Sequence, residues 1–282
     1  MGERHNQINK KIINYGLSLY LKYPPLQPYL KLIKKIFFKP RFSGWGMTTE
    51  HELPWINEYD EEIFRKASQD IKKQFQFNKR IVGIDSRNVD ALLWRHWNVS
   101  YAIRYAIRFS DTNEHNFVEC GVGEGFSAFF ALREIRGQQK IVKKFSMHLY
   151  DSWNAMKKEQ LLKSELLNVN KYSELEVNIT KKNLSEFNDY IIYHQGYIPE
   201  SFNVPPEAPN SIVYLHIDLN SSQPTLSTLE FFYPRLVKGG VILFDDYGWL
   251  EYGDTKKKVD AFFYGKPGII MKLPTGQAIY HR

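Results

Sequence analysis

Three carboxylates in this 282-residue chain stand where strands should end: Asp218 closes the run SIVYLHID, and Asp245 and Asp246 close GGVILFDD. In an open α/β sheet the carboxyl ends of neighbouring strands face one crevice, so these acids are expected to converge. Carboxylates converging without Lys or Arg repel one another, and a hard divalent cation relieves that repulsion through oxygen ligands. Asp218, Asp245 and Asp246 are therefore the candidate ligands for Mg2+ or Mn2+, and Asn220 can add a neutral oxygen. The alternative is that Asp245 and Asp246 only cap the turn after their strand.

A second constellation lies at residues 116–135, NFVECGVGEGFSAFFALREI, where an apolar strand ending in an acid runs into three closely spaced glycines and then a helix. Gly121, Gly123 and Gly125 make a turn without Cβ atoms, which lets a ligand approach the backbone closely. Ser127 is placed to cap the helix, and Gly137 to stop it. Such turns serve dinucleotides and S-adenosylmethionine (SAM) alike, and tight structural turns as well. Glu119 favours SAM, because a carboxylate at the strand end suits a cationic amino-acid moiety and repels a pyrophosphate. Asp151 ends the next strand, MHLYD, where it can accept hydrogen bonds from ribose hydroxyls or cap the following helix. Ser152, and Gln195 and Gly196 at the end of IIYHQG, complete the candidate cofactor contacts.

The elements that must position these residues follow from periodicity. Residues 191–196, 211–218 and 239–246 read as further strands, and Leu226, Leu229, Phe232 and Leu236 recur at helical spacing between two of them. The order β/α/β is that of a doubly wound, mostly parallel sheet. In PGIIMKLPTGQAIYHR two β-rich runs flank Pro274-Thr275-Gly276, too short a link for a helical crossover, so they are expected to pair as an antiparallel hairpin. The expected fold is a Rossmann-like α/β domain with a seven-stranded sheet closed by that hairpin, behind an N-terminal helical extension. A dinucleotide dehydrogenase normally lacks the hairpin.

The remaining sequence divides into residues 111–282 as the catalytic domain, 43–110 as a helical lid or cap, and 1–42 as a basic amphipathic arm. Helices are expected at 59–76 and 89–109. His51, Trp55, Trp94, His96 and Trp97 are candidates for an acceptor pocket, or core aromatics. The polar segment 154–185 is a second candidate for acceptor binding. The arm holds nine Lys or Arg against one Glu, net +8 of the chain's +7, so the rest is near neutral. Its apolar and basic residues suit packing on protein, including a second subunit, or peripheral contact with an anionic membrane surface. No nucleic-acid motif accompanies the charge. No apolar run reaches the roughly 18 residues that span a membrane. No secretory signal is evident, and Cys120 is the one cysteine, so the cytoplasm is the expected compartment. Cys120 reads as a small buried filler of the turn.

Taken together, VECGVGEGFS, Asp151, HQGYIPES, HIDLNS, LVKGGVILFDDYGW and KKKVDAFF resemble the macrocin O-methyltransferase family of class I SAM-dependent methyltransferases, over roughly residues 115–282. GMTTEHELPW carries a weaker likeness. The resemblance implies a SAM-dependent, divalent-metal-assisted enzyme, usually with magnesium, that methylates a hydroxyl, typically of a sugar on a natural product or glycan. By position it assigns Glu119, Gly121, Gly123, Ser127 and Asp151 to SAM, and Asp218, Asp245 and Asp246 to the metal. One departure stands out. The family commonly reads D-G-D-L-Y where this chain reads Asp218-Leu219-Asn220-Ser221-Ser222, so an amide replaces a candidate general base. The proton then falls to Asp218, to another residue such as His51, or to weak base assistance after a metal lowers the hydroxyl pKa. A noncatalytic SAM-binding protein and a nicotinamide-dependent oxidoreductase are the alternatives.

Overall fold

The computed structural model describes residues 59–77, 89, 92–249 and 252–282. The basic arm, His51 and Trp55 lie outside them. Two helices come first, α1 (Tyr59–Gln74) and α2 (Leu93–Phe109). The alternating region follows: β1 (His115–Cys120), α3 (Phe126–Gly137), β2 (Phe145–Asp151), α4 (Val177–Asn183), β3 (Ile191–Gln195), β4 (Ile212–Ile217), α5 (Ser222–Phe232) and β5 (Leu236–Phe244). It closes with α6 (Gly253–Phe263), β6 (Ile270–Lys272) and β7 (Ala278–His281).

The seven strands form one sheet in the order β3-β2-β1-β4-β5-β7-β6. β1 to β5 run parallel, and β7 pairs antiparallel with both β5 and β6. The fold expectation, including the terminal hairpin, is borne out. β1 and β4 are buried along their whole length, as strands covered on both faces must be. Neighbours along β1 divide between the faces. Phe117 joins a core with α1, α2 and α3, while Val118 joins Leu229 and Phe232 of α5 and Val259 of α6 on the other side.

α1 and α2 are built into the first of those cores. Ala102, Ile103 and Ala106 of α2 are fully buried, and Phe64 of α1 packs on Phe130 of α3 with ring centroids 5.0 Å apart. α2 starts four residues later than the periodicity suggested, at Leu93. Trp94 and Trp97 pack against this core, and Trp97 Nε1 donates to Glu61 Oε2 at 2.8 Å. Glu61 also accepts from Arg104 at 2.9 Å, so polar bonds as well as apolar contacts tie α1 to α2. No helix of the described residues is long and apolar enough to cross a membrane.

Candidate active site

Register fixes the site. Glu119 on β1 stands level with Leu149 on β2 and His216 on β4, and Ile217 is level with Phe244 on β5. The next residue of each strand therefore reaches the same edge: Gly121 after β1, Asp151 at the end of β2, Asp218 after β4 and Asp245 after β5. Hydrogen bonds carry the pairing one step further, from Asp218 N to Cys120 O and from Asp245 N to Ile217 O, both at 2.9 Å. Strand order reverses between β1 and β4, the place where open α/β sheets bind ligands. A cavity of about 540 Å³ opens there.

One side of the cavity is the glycine turn. Gly121, Gly123 and Gly125 all have positive φ, at 89°, 54° and 89°, a backbone that side chains resist. Gly121 has a second constraint, since a Cβ there would run into the carbonyl oxygen of Asp218. Asp151 holds the turn from beneath. Its Oδ2 accepts from Val122 N at 2.7 Å and Gly123 N at 2.9 Å, and its Oδ1 from Trp153 N at 2.7 Å. Burial raises its pKa against the pull of those three donors. Asp151 still lines the cavity, with Ser152 and Gly196 beside it.

Three cofactor assignments sit differently from the sequence reading. Glu119 is fully buried and lies behind the cavity wall, where its Oε1 accepts from Ser127 Oγ at 2.5 Å. Ser127 lines the cavity without capping α3: the cap residue is Gly125, which has no side chain, and the Ser127 hydroxyl, inside the first turn, donates to Glu119. Gln195 is exposed at the end of β3, the outermost strand on that side, and is not part of the cavity wall.

The other side holds the acids. One carboxylate oxygen from each of Asp218, Asp245 and Asp246 lies within 4.8 Å of the others, the spacing at which a shared hard cation could be ligated. The expectation that no Arg or Lys accompanies them is overturned. Arg95 of α2 pairs with Asp245 Oδ2, and also donates to its carbonyl oxygen at 3.3 Å and to Thr275 O at 3.1 Å. Gln277 Nε2 donates to Asp245 Oδ1 at 2.7 Å. His216, almost fully buried, lies between the two constellations, with Nδ1 3.5 Å from Glu119 Oε1 and Nε2 3.7 Å from Asp245 Oδ1.

Asn220 explains how the remaining two acids coexist. Its Nδ2 donates to Asp246 Oδ2 at 2.7 Å and to Asp218 Oδ1 at 3.0 Å, and its backbone N–H reaches Asp246 Oδ2 at 3.0 Å. Its φ of 52° is left-handed, a conformation that asparagine tolerates better than most residues. Tyr172 donates to Asn220 Oδ1, which orients the amide with its NH2 toward the acids. The carboxyl of Asp246 is nevertheless pushed up to about 7, by burial first and the charge of Asp218 second. Burial raises Asp218 too, with His216 and Arg95 opposing it. Among the described residues none donates a hydrogen bond to Asp218 Oδ2 or Asp246 Oδ1, so the donor set is chemically suited to a hard cation.

Of the five aromatic and His candidates for an acceptor pocket, His96 lines the cavity, while Trp94 and Trp97 do not. Burial, with Arg95 and His216 nearby, lowers the His96 pKa to about 3, so it is neutral. From the polar segment between β2 and β3, Met156, Gln160 and Tyr172 reach the cavity wall. Glu165 anchors that segment to the start of α5 by accepting from Ser222 N at 2.8 Å. The sequence reading missed Arg95, Tyr172, Trp249 and Gln277. Arg95 alone carried a signal, as a charged residue within the aromatic run LWRHW.

Residues 118–247 match the family model of a methyltransferase domain. The sheet order and terminal hairpin are those of the class I methyltransferase fold. The expected SAM-dependent methyltransferase is thereby borne out over the dinucleotide-dependent alternative. Among solved structures, the methyltransferase is similar in fold to the O-methyltransferase NovP at 14% identity, over 79% of this chain and 98% of that one, with a TM-score of 0.64. It is also similar to CalS11, a calicheamicin methyltransferase, at 13% identity over 85% and 98% of the two chains, with a TM-score of 0.53. No curated protein matches the sequence.

Proposed function

We propose that the enzyme methylates a hydroxyl oxygen of a sugar or glycosylated small molecule, with a divalent cation at Asp218, Asp245 and Asp246. The observation that carries this reading is the placement of those carboxylates, with oxygens within 4.8 Å of one another, across one cavity from the glycine turn. When bound, SAM supplies an electrophilic methyl group, and a divalent cation supplies a Lewis acid that lowers the pKa of a hydroxyl. The named fold relatives, an O-methyltransferase and a calicheamicin methyltransferase, support oxygen as the acceptor atom. The sequence resemblance to macrocin O-methyltransferases supports a sugar hydroxyl.

The chain's own residues divide the work. The backbone of Gly121 to Gly123, with Ser127, Asp151, Ser152 and Gly196, holds the cofactor, and Glu119 fixes the Ser127 hydroxyl from behind. Much of the rate would come from holding two reactants in line. Asn220 cannot take a proton at neutral pH, since an amide is scarcely basic and its Oδ1 already accepts from Tyr172. Asp218 is the candidate base, because one of its oxygens is free of protein donors. His51, outside the described residues, is the second candidate. The domain reading extends to a cap in residues 43–110 and a basic arm in residues 1–42, which would give a cytoplasmic enzyme a peripheral hold on the inner membrane surface or on a second subunit.

The test is methyl transfer from SAM to pooled nucleotide sugars and glycosides, followed by mass spectrometry. Turnover should stop in EDTA and return with Mg2+ or Mn2+. Asp246→Asn should cut the rate at least about tenfold, or 1.4 kcal/mol in the barrier, while S-adenosylhomocysteine affinity stays near wild type. Full turnover in EDTA would overturn the metal-assisted reading, and cofactor binding with no turnover on any acceptor would favour a noncatalytic SAM-binding protein.

A further inference from the structure

The acidic cluster is already partly answered by a cation of the chain's own. Arg95 reaches it from α2, outside the matched methyltransferase segment, and its side chain is 16% exposed where it meets Asp245. Both oxygens of Asp245 are taken, one by Arg95 and one by Gln277. Asp218 and Asp246 each keep one oxygen that no protein donor occupies. Three carboxylates against one guanidinium leave a formal charge of −2, the complement of one divalent ion. The three carboxylates lie close enough for one ion to reach Asp245 as well, and ligation by Asp245 would place that ion against the guanidinium. Two cations at that separation in a buried site repel strongly.

The guanidinium already has a second partner to settle on. It lies over the ring of Trp249, 5.4 Å from the centroid, and Trp249 is 47% exposed and lines the same cavity. Arginine stacks readily on an aromatic face. Its present bonds also tie α2 to the terminal hairpin through Thr275 O, beside the bond from Asn98 Nδ2 to Gln277 Oε1 at 2.8 Å.

We propose that Arg95 and a divalent cation compete for Asp245, so that Arg95 is the resident counter-ion of the cluster and moves off toward Trp249 when the ion binds. The inference rests on the metal-assisted reading above and adds a residue to it. Without the ion, the pair offsets part of the charge of three closely spaced acids. In the loaded enzyme the freed guanidinium stands on the acceptor side of the cavity, where its five N–H donors can meet hydroxyls or an anionic substituent.

Full-length protein is titrated with Mn2+, and free ion is counted by electron paramagnetic resonance, without acceptor. Arg95→Gln should bind Mn2+ at least about tenfold tighter than wild type. In wild type, Mn2+ should change the fluorescence contributed by Trp249, read as the difference from Trp249→Phe, and that change should vanish in Arg95→Gln. A folded Arg95→Gln with equal or weaker Mn2+ affinity overturns the inference and leaves the metal site standing. Should Arg95→Gln fail to fold, Arg95→Lys, which keeps the charge and loses the two-pronged contact, is expected to bind severalfold tighter. Wild-type behaviour of Arg95→Lys in both readouts would overturn competition. Absence of Mn2+ binding by every variant defeats the metal-assisted reading, and the inference with it.

Discussion

The two sides of the cavity are both organised around buried acids, yet they are stabilised in different ways. Asp151 is a solved problem: three backbone N–H groups converge on its carboxylate. Asp218, Asp245 and Asp246 are held mainly by side chains, Arg95 and Gln277 on Asp245 and the Asn220 amide on the other two, with the Asn220 backbone N–H as one further donor to Asp246. Backbone donors of a turn cannot leave without breaking the turn, whereas side-chain donors can be exchanged for an ion. The donor side is therefore built to hold one shape, and the acid side to change its partners.

The sharpest way to break the comparison is where the two sides meet at Gly121. Gly121→Ala would drive a Cβ into the carbonyl of Asp218 and force a left-handed backbone on alanine. Such a clash has no flexible side chain to absorb it, so a loss of about 3 kcal/mol or more is expected in chemical denaturation. Both cofactor and Mn2+ affinity should fall together. Retention of either at wild-type strength would show that the sides are independent.

Asp151→Ala comes next. It leaves the amides of Val122, Gly123 and Trp153 without their acceptor, and unpaired buried donors cost about 1–3 kcal/mol each before relaxation. A stability loss of roughly 2–3 kcal/mol is expected, with at least about a tenfold loss in calorimetric affinity for S-adenosylhomocysteine. Mn2+ binding should change little, because Asp151 touches none of the three acids directly.

Asn220→Asp acts on the other side. It removes the NH2 that bridges Asp218 and Asp246 and adds a fourth carboxylate, so the apo protein should lose roughly 1–2 kcal/mol. Mg2+ should restore more melting temperature to this variant than to wild type. Equal gains on adding Mg2+ would mean that the added carboxylate does not face the ion.

The smallest effect is a pH dependence. The pKa of Asp246 is raised to about 7 in the fold, against 3.8 as the reference. A raised carboxyl binds its proton more tightly when folded, so its stabilising contribution is complete below about pH 4 and lost as pH rises through 7. Asp246→Asn keeps an acceptor for Asn220 and removes the charge. In chelator, its melting temperature should pull ahead of wild type between pH 4 and 8. Saturating Mg2+ should erase or reverse the gap.

The sequence by itself determined the sheet, its terminal hairpin and the strand ends that carry chemistry. Apolar runs such as VILF and VYLHI can be satisfied only when both faces are covered, and glycine at 121, 123 and 125 permits a positive-φ turn that side chains resist. Acids placed at strand ends then share an edge by topology, which is why Asp218, Asp245 and Asp246 could be grouped in advance. Tertiary structure alone decided what each acid faces. Glu119 sits at a strand end like the others, but Ser127 and His216 close over it and remove it from the cavity. Gln195 lies one residue from Gly196, yet its side chain points to solvent from the outermost strand. Arg95 and Gln277 stand about 150 and 30 residues from Asp245 along the chain, and no periodicity records that a helix and a hairpin turn meet above one carboxylate. Local spacing fixes where a side chain leaves the backbone, while its partner, and hence its charge and its chemistry, depends on which distant element packs across from it.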